Sequence, residues 1–539
     1  MMMIQLILFF GISVGCLFSS RILLHFFQLE SYQFPGYFRT VRRNILKAFM
    51  PGFVMTILGM IILLLMFRII QAERFPLLCA LTGALLYIAG GFATGYVFSE
   101  KKAKKPFVYT ARVKRLCVIS TLVLFLILSC VCAALYTFLG KDSVTRGFVI
   151  LFPLFLPLWI AICGLLAWPI EKGISELYFR DAQNILKQRK DLIKIGITGS
   201  WGKTSVKFIL GTLLEEKYHT LVTPASYNTP MGVTKIIRSR LEPGHRVFVA
   251  EMGARHVGDI REMCRLVHPQ IGIITSVGPQ HLDTFRTVER VARTKYELID
   301  ALPNDGEAFF ADDEGICRDL YYKTSKSRHL SGLDRNIDDL WAEEISYTPE
   351  GSSFILCHGN DRVSCSTDLL GEINIRNILV CVSVALYLGL SMDQIKRGIR
   401  KIKPVEHRLQ LIHHPGGLNV IDDAFNSNIK GARQAFHVLS SFPSKRIVVT
   451  PGMVELGDKE FEMNHEFGAA MADCCDIIIL VGKKRCESII SGLREKAFPE
   501  NKIHLVSSLD EATSLLKELA EPGDTVLFEN DLPDNYTES

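Results

Sequence analysis

Five long runs without Asp, Glu, Lys or Arg occupy most of the first 170 residues of this 539-residue chain. They are Met1–Ser20, Ala48–Phe67, Phe75–Phe98, Leu116–Gly140 and Gly147–Ile170. A helix of about 20 apolar residues is long enough to cross a bilayer. The sequence therefore predicts a multi-pass α-helical membrane domain of five transmembrane helices over residues 1–170.

The loops between these runs predict an orientation. The first run has neither a basic start nor a small-residue cleavage site, which favours a retained span over a cleaved signal peptide. Basic residues concentrate in the loops after the first and third runs, whereas the other two loops hold few. Because such loops stay in the cytoplasm, the first terminus is expected outside and everything after Ile170 in the cytoplasm, below the plasma membrane.

Charge and cysteine content limit the partners. The net charge of +5 is modest and the membrane loops account for it, so there is no reason to expect a nucleic-acid partner. The 14 cysteines show no C-x-x-C or Cys/His ligand spacing. We expect a reduced chain with incidental thiols and neither a disulfide framework nor a zinc site.

The rest of the chain alternates between strand-like and helix-like patterns. Residues 171–191 are charged and helix-like, which predicts a stalk whose amphipathic face lies toward the lipid headgroups. Short apolar strands separated by helices then predict two α/β domains with mainly parallel sheets, over residues 192–405 and 406–539. They join near Lys403–Arg408, and a cleft between two such domains is a place where a ligand binds.

The segment Gly196-Ile-Thr-Gly-Ser-Trp-Gly-Lys-Thr-Ser follows a predicted strand and opens a predicted helix. Glycines let backbone N–H groups approach phosphate oxygens, and the helix start and a lysine add positive charge. The strict phosphate-loop pattern requires glycine where Ile197 stands, and a glycine-rich β–α turn with a fortuitous lysine is the alternative. The predicted nucleotide-binding residues here are Gly199, Ser200, Gly202, Lys203, Thr204 and Ser205.

Further blocks follow this loop in a fixed order. They are Ser226-Tyr-Asn-Thr-Pro-Met-Gly, Glu251-Met-Gly-Ala-Arg-His, Gln280-His-Leu-Asp, Lys295-Tyr-Glu-Leu, Asn374-Ile-Arg-Asn, Glu406-His-Arg, Asp422-Asp-Ala-Phe-Asn-Ser-Asn and Met453-Val-Glu-Leu-Gly. With Thr-Gly-Ser-x-Gly-Lys-Thr, this set resembles the Mur ligase family over about Ile193–Phe528. The blocks are most similar to those of the members that add D-alanyl-D-alanine. The resemblance implies a P-loop Mur ligase central domain and a Rossmann-like C-terminal domain.

The resemblance also implies a reaction and its residues. Mur ligases use ATP and Mg²⁺ to convert a carboxylate to an acyl phosphate, which an amine then attacks to form an amide. By resemblance, the catalytic residues are Lys203, His281 and Lys295, the last of them carbamylated, and the metal-binding residues are Thr204, Glu251, His281 and Lys295. The further nucleotide contacts are Asn228 on the phosphate side, Asn377 at the adenine, and Arg408 and Asp423. Taken singly, each has an ordinary alternative, such as a solvated carboxylate, an exposed lysine, a helix cap or an Asx turn.

Two departures from the family bear on the substrates. Five predicted spans replace the usual domain for a uridine nucleotide, so a carboxylate-bearing cell-wall or polymer precursor, including a lipid-linked one, becomes the expected substrate, with membrane lipid as a second partner. The acidic run Phe528-Glu-Asn-Asp-Leu-Pro-Asp replaces a basic stretch. Because it would repel a carboxylate, the incoming amino acid or peptide is expected to have a cationic or neutral end.

Three other functions stay open at this point. One is a polyglutamate-type synthase of an amino-acid polymer, and another is a nucleotide-binding scaffold without turnover. The third is a P-loop ATPase that drives a membrane transporter. The transporter is disfavoured because the predicted spans contain no ionisable Asp, Glu, Lys or Arg, the usual markers of an ion or proton path.

Overall fold

The computed structural model describes residues 2–68, 76–100, 106–139, 142–225, 227–348, 351–414, 416–424, 429–454, 456, 459–482 and 486–531. The chain divides between Glu176 and Leu177 into two compact units. The first unit is helical, and the second contains two β-sheets covered by helices.

The helical unit is built from apolar helices. In chain order they are α1 (Met2–Ser19), α2 (Arg21–Leu29), α3 (Phe34–Arg43), α4 (Ile45–Arg68), α5 (Pro76–Val97), α6 (Ala111–Leu139), α7 (Asp142–Leu151), a 3₁₀ turn (Phe152–Phe155) and α8 (Leu156–Gln188). Within the described residues, four segments are long and apolar enough to cross a membrane: Ile45–Leu65, Pro76–Val97, Ala111–Ala134 and Gly147–Gln188. They coincide with the second to fifth predicted runs, whose end residues Phe75 and Gly140 lie outside the described residues.

The first predicted run differs from a straight span. Helix α1 bends by 49° into α2, and only the bent pair taken together is long enough to count as a fifth candidate. The expected loop between the first two runs is instead largely helical, because Ile22–Phe27 of α2 are buried in the helical core. The Tyr37 hydroxyl of α3 donates a 2.7 Å hydrogen bond to the Pro157 carbonyl. Arg21 and His25 interrupt the apolar pattern, which is why the sequence did not indicate this packing.

Helices α1 and α5 approach each other through glycines. A Cβ added at Gly91 would lie 2.2 Å from the Gly15 carbonyl oxygen. Each of these residues has a second glycine four positions away, Gly11 on α1 and Gly95 on α5. Small residues at this spacing are typical of helix pairs packed within a bilayer, because they bring two backbones into van der Waals contact.

Helix α8 continues beyond the last apolar run without a break and ends at Gln188. The predicted stalk is therefore helical, but its apolar face was assigned to the wrong surroundings. Phe179, Ala182 and Leu186 are buried in the same core as Leu192 and Phe248 of the first α/β domain. The face expected to contact lipid headgroups packs against protein instead.

The first α/β domain contains a nine-stranded sheet in the order β2-β3-β1-β4-β5-β6-β7-β8-β9 within the described chain. The strands are β1 (Ile193–Thr198), β2 (Thr220–Val222), β3 (Val247–Glu251), β4 (Ile271–Ile274), β5 (Glu307–Ala311), β6 (Arg328–Gly332), β7 (Leu340–Thr348), β8 (Gly351–His358) and β9 (Asp361–Thr367). Neighbours from β2 to β7 pair in parallel, and β7, β8 and β9 pair antiparallel.

Helices cover both faces of this sheet. They are α9 (Lys203–Leu214), α10 (Pro230–Arg240), α11 (Asp259–Val267), α12 (Leu282–Phe285), α13 (Val288–Asp300), α14 (Ile316–Lys323), α15 (Glu372–Tyr387) and α16 (Met392–Lys401). Leu210 and Leu379 belong to the core on one face, and Ile237 and Leu298 to the core on the other. The predicted parallel sheet with two covered faces is confirmed.

The second α/β domain contains a six-stranded sheet in the order β10-β11-β15-β12-β13-β14 within the described chain. The strands are β10 (Gln410–His413), β11 (Asn419–Asp423), β12 (Arg446–Thr450), β13 (Ile477–Val481), β14 (Ile503–Val506) and β15 (Thr525–Glu529); the helices are α17 (Ile429–Ser440), α18 (Glu460–Ala472), α19 (Cys486–Glu495), a 3₁₀ turn (Glu500–Lys502) and α20 (Leu509–Leu519). Only β10 pairs antiparallel. Helices again cover both faces, with Phe436 and Leu516 in separate cores.

Candidate active site

The predicted phosphate loop joins β1 to α9 at the carboxyl edge of the parallel sheet. Its backbone is held by the segment after β4: the Ser200 N–H donates to the Ser276 carbonyl at 2.8 Å, and the Trp201 N–H donates to the Ser276 hydroxyl at 2.8 Å. Gly202 has a φ of +80°, and a Cβ there would lie 2.8 Å from Oδ1 of Asn377. The loop thus needs glycine at this position for both conformation and space.

Lys203 begins α9 and folds back over the loop. Its ammonium donates to the Gly199 carbonyl at 2.6 Å and to the Ser200 carbonyl at 3.1 Å. Burial lowers the pKa of Lys203 to about 8, while Glu251 opposes this shift and Arg408 adds to it. Lys203 therefore shares one electrostatic environment with a strand-end carboxylate and with the linker arginine.

Glu251 is the centre of a buried polar cluster at the end of β3. It is 1% exposed and accepts hydrogen bonds from the Thr204 hydroxyl at 3.1 and 3.2 Å and from the Asn228 amide at 3.1 Å. The Lys207 ammonium forms an ion pair with it at 2.9 Å. Burial alone would raise the pKa of Glu251, but the charges of Lys207 and Lys203 outweigh burial and lower it. The carboxylate is therefore ionised and held in place.

Lys207 is the residue of this site that the sequence analysis missed. It is 0% exposed and lies one helical turn after Lys203 on α9, where its ammonium also donates to the Ala225 carbonyl. A lysine on the buried side of an apolar helix needs a partner, and the spacing of four from Lys203 could have indicated one.

Lys295 and His281 lie on neighbouring elements. Lys295 of α13 is 1% exposed; burial and then the charge of Lys203 lower its pKa well below the usual range, and Asp259 opposes this only partly. The charged form of the buried Lys295 side chain is therefore disfavoured. His281 has a φ of +50° and caps α12, directly after the segment that holds the phosphate loop. Among the residues the structure describes, no three His, Cys, Asp or Glu side chains cluster closely enough to hold a metal, so a metal site at His281 and Lys295 stays a prediction.

The linker and the second domain supply two more of the predicted residues. Burial raises the pKa of Asp423 to about 6 against the opposing charge of Arg408, and its carboxylate accepts a 3.1 Å hydrogen bond from the Leu409 N–H. Burial lowers the pKa of Arg408, and Asp423 and Glu251 oppose that shift. Arg408 therefore lies within electrostatic reach of both domains. Ser205 is half-buried in the first turn of α9, and its role stays a prediction.

The oxygen atoms beside the loop fit Mg²⁺. The Thr204 hydroxyl and the Glu251 carboxylate are hard ligands that touch each other beside the phosphate loop. These two residues are therefore the candidates to hold a metal that accompanies a nucleotide.

Comparison with known families decides the identity of the second unit. Residues 197–385 match the family model of the Mur ligase middle domain, and residues 407–529 match that of the Mur ligase glutamate ligase domain. The two matches together cover more than half of the chain. The chain belongs to the Mur ligase family. It is an ATP-dependent carbon–nitrogen ligase of the Mur type, which confirms the predicted enzyme class.

Two curated Mur ligases, from two different bacteria, are similar to this chain. The UDP-N-acetylmuramoyl-tripeptide–D-alanyl-D-alanine ligase of Bacillus subtilis (strain 168) is 27% identical over 337 residues, which is 62% of this chain and 72% of that protein. The enzyme of the same name from Escherichia coli (strain K12) is 29% identical over 342 residues, 61% of this chain and 75% of that protein.

Solved structures of Mur ligases agree in fold. MurF from Acinetobacter baumannii aligns with a TM-score of 0.60 and 26% identity, covering 67% of this chain and 78% of that one. MurF ligase from Thermotoga maritima, in complex with ADP, aligns with a TM-score of 0.60 and 24% identity, covering 66% and 80%, and shows the same fold. The matched Mur ligase domains begin at residue 197, so the helical unit lies outside them.

The first polar residues of the acidic run at the end of this Mur ligase are buried in the second α/β domain. Glu529 is 0% exposed at the end of β15, and the Asn530 amide donates a 2.6 Å hydrogen bond to the Gly452 carbonyl. Glu529 pairs with Asp423 in the sheet and the Asn530 N–H donates to the Asp423 carbonyl at 3.2 Å, so the expected repulsion of a carboxylate at this edge stays a prediction. Asp531 is exposed, and the run from residue 532 lies outside the described residues.

Proposed function

We propose that this Mur ligase activates a carboxylate of a cell-wall or surface-polymer precursor and joins it to the amine of an amino acid or peptide. A carboxylate oxygen attacks the γ-phosphorus of ATP and ADP leaves; the amine then attacks the acyl carbon, phosphate leaves and the nitrogen loses a proton. The observation that carries the proposal is the cluster around Glu251 beside the phosphate loop. The names of the curated relatives support a peptidoglycan precursor as the carboxylate.

The roles of the residues follow from their charges. Lys203 and Arg408 are the cations placed to neutralise phosphate oxygens as phosphate is transferred. Thr204 and Glu251 would hold Mg²⁺, which supplies further positive charge to those oxygens when it is bound. Asn228 and Lys207 keep the Glu251 carboxylate in position. The nucleotide contacts of Asn377 and Asp423 are carried over from the family resemblance.

Lys295 has the chemistry that carbamylation requires. A neutral amine attacks the carbon of CO₂, a nitrogen–carbon bond forms and one proton is released, which leaves an anionic carbamate. Burial and the charge of Lys203 lower the pKa of Lys295, which favours the unprotonated amine that this reaction needs. We propose that the carbamate faces the metal together with His281, as the family resemblance implies.

We also propose that the helical unit anchors the ligase in the plasma membrane with the catalytic domains in the cytoplasm. The support is the set of four candidate spans plus the bent pair, the glycine contacts between α1 and α5, and the basic loops. A carboxylate carried on a lipid would then lie close to the enzyme. A soluble UDP-linked precursor, such as the names of the relatives indicate, is the competing substrate.

The test uses the purified full chain with ATP, Mg²⁺ and an amine panel that includes D-alanyl-D-alanine and basic amino acids. The carboxylate is offered as the UDP-linked or the lipid-linked muramoyl tripeptide. We expect ADP and phosphate only when carboxylate and amine are both present. Hydrolysis without either would favour the transporter, and no hydrolysis at all would favour the scaffold.

Two variants assign the residues. Lys203→Ala should abolish turnover because the phosphate cation is lost. Lys295→Ala should lose turnover but recover part of it with added short carboxylates such as acetate, which replace the carbamate anion. Undiminished activity in either variant would contradict the role given to that lysine.

A further inference from the structure

A cavity of about 290 Å³ lies in the helical unit, where α2 begins and α5 ends. Its polar and aromatic lining consists of Arg21, His25, Tyr96, Ser99, Glu100 and Phe107. The cavity lies near the basic loops that follow the first and third predicted spans, which is the end of the helices expected at the cytoplasmic surface of the membrane.

Arg21 supplies a cation that forms no ion pair with an acidic side chain among the described residues. Its Nε is buried and makes no hydrogen bond in the part of the chain that the structure describes. Its guanidinium carbon lies 5.8 Å from the centre of the Phe107 ring. Buried polar groups normally have partners, and an arginine fork fits the oxygens of a phosphate or carboxylate. Arg21 therefore lines the cavity with a guanidinium that forms no ion pair among the described residues and can attract an external anion.

The one acid in the lining is engaged elsewhere. A carboxylate oxygen of Glu100 lies 2.6 Å from the Lys47 ammonium. Glu100 and Lys47 balance each other, which leaves the charge of Arg21 uncompensated by either of them. In the described lining, Glu100 is therefore paired with a cation from outside the cavity, and Arg21 is the cation without an ion-pair partner.

The surface beside the cavity is apolar. Phe92, Tyr96 and Val97 in the last turns of α5 are 62%, 54% and 68% exposed. Exposed apolar side chains next to a cationic cavity match a ligand that has both an anionic group and hydrocarbon chains. A small soluble anion would use the cavity but not this surface.

We propose that this cavity binds the phosphate headgroup of an anionic lipid, with Arg21 as the principal contact and the lipid chains along the exposed face of α5. The inference rests on the proposed membrane attachment of the helical unit. It adds a lipid-recognition site to a domain that otherwise serves only as an anchor. It also gives a lipid-linked substrate a defined point of contact through its phosphate.

The test measures binding to the full chain in a neutral detergent by native mass spectrometry. The separate probes are dioleoyl phosphatidic acid, dioleoyl phosphatidylcholine and inorganic phosphate. We expect one phosphatidic acid per chain, bound at least about tenfold more tightly than either other probe, because only it combines a headgroup of net negative charge with lipid chains. Equal affinity for phosphatidylcholine would overturn the proposal, and equal affinity for inorganic phosphate would overturn its lipid part.

Variants locate the site. Arg21→Met should weaken phosphatidic acid binding about tenfold, whereas Arg39→Met, which removes an exposed arginine of α3 outside the lining, should change it less than about twofold. Glu100→Gln should strengthen binding, because a negative charge leaves the cavity. Equal losses for Arg21→Met and Arg39→Met would contradict the assignment.

Two controls keep the result interpretable. If Arg21→Met fails to fold in a thermal unfolding assay, Arg21→Lys takes its place; it keeps the charge but loses the fork, so we expect at least a threefold loss and wild-type binding would overturn the proposal. ADP release is measured on the same wild-type sample. Ligase activity without selective lipid binding contradicts this inference alone, whereas no ADP release contradicts the proposed function.

Discussion

Two buried lysines near the phosphate loop differ in their charge balance. The Lys207 ammonium contacts the Glu251 carboxylate directly. For Lys295, the charge of Asp259 opposes the effect of burial on the pKa, but the two side chains form no ion pair in the described chain. A buried ammonium is stable only when an anion compensates for lost hydration. The ion pair with Glu251 therefore favours the charged form of Lys207, whereas the surroundings of Lys295 disfavour its charged form.

Removing the Lys207 charge should destabilise the catalytic unit. Lys207→Met removes the ion-pair partner of the buried Glu251 carboxylate, which should lower the free energy of unfolding by about 3–5 kcal/mol. Urea unfolding of the full chain, followed by tryptophan fluorescence, measures the loss. Lys190→Met, which changes an exposed lysine, is the matched control and should be near neutral. Adding Glu251→Gln to Lys207→Met should recover much of the loss; no recovery would show that the ion pair is not its cause.

The pKa of Lys203 predicts how nucleotide affinity varies with pH. In the ligand-free protein this pKa is lowered to about 8, and bound phosphates raise it again. Affinity for ADP should therefore be constant below pH 8 and fall above it, by at most about tenfold per pH unit because one proton is involved. Fluorescence titration with ADP from pH 6.5 to 9.5 measures this. Lys203→Arg, which stays charged, should remove the dependence, and an unchanged slope in that variant would assign it to another group.

Sequence motifs identified the residues of the site that carry chemistry but not all those that support them. Thr204 and Glu251 were found because each belongs to a recognisable block at the end of a strand, and the structure brings them into contact. Lys207 was missed because its only signal is a charge on a buried helix face. The orientation of the Glu529 carboxylate could not be predicted, because a sequence does not show which way a strand-end side chain points.

Among the helices and strands, the predicted bounds agree best with the structure where the sequence has a continuous apolar run. The apolar runs Ile193–Thr198, Glu307–Ala311, Arg446–Thr450 and Ile477–Val481 predict strands, and β1, β5, β12 and β13 have the same bounds, because central parallel strands are apolar on both faces. The run Ile503–Val506 likewise predicts the edge strand β14. The short edge strands β2 and β10 were missed, since an edge strand has fewer buried positions. The pattern of Ser353–Ser366 predicts a β-hairpin, and in the structure β8 and β9 form this hairpin with strands that extend slightly beyond both predicted ends.

The close contact between α1 and α5 predicts the effect of a single methyl group. In Gly91→Ala the new Cβ would lie 2.2 Å from a backbone oxygen of α1, so the helices must separate. We expect a loss of roughly 1–3 kcal/mol by overpacking, seen as a lower thermal midpoint of the full chain in detergent. Gly173→Ala adds the same methyl to α8 where nothing lies within 4 Å, and it should be neutral or slightly stabilising. Equal midpoints for the two variants would contradict the packing.

For the whole molecule, the division of the chain predicts how it fractionates. The full chain should stay in the membrane pellet after alkaline carbonate extraction, because carbonate does not extract helices that span the bilayer. Among the described residues, the candidate spans lie in the first unit, except that the last one continues past Leu177 to the end of α8. A chain without residues 1–170 should move to the supernatant. Release of the full chain by carbonate would contradict the proposed membrane insertion and leave the ligase assignment intact.

The Glu251 cluster also bears on the order in which ligands arrive. Lys207 already cancels the carboxylate's charge in the resting protein, so a bare divalent ion meets little attraction there. A metal that is already bound to the phosphates of a nucleotide is neutralised by them, so its binding does not depend on attraction to Glu251. We therefore expect a divalent metal to bind beside Glu251 together with a nucleotide, and only weakly without one.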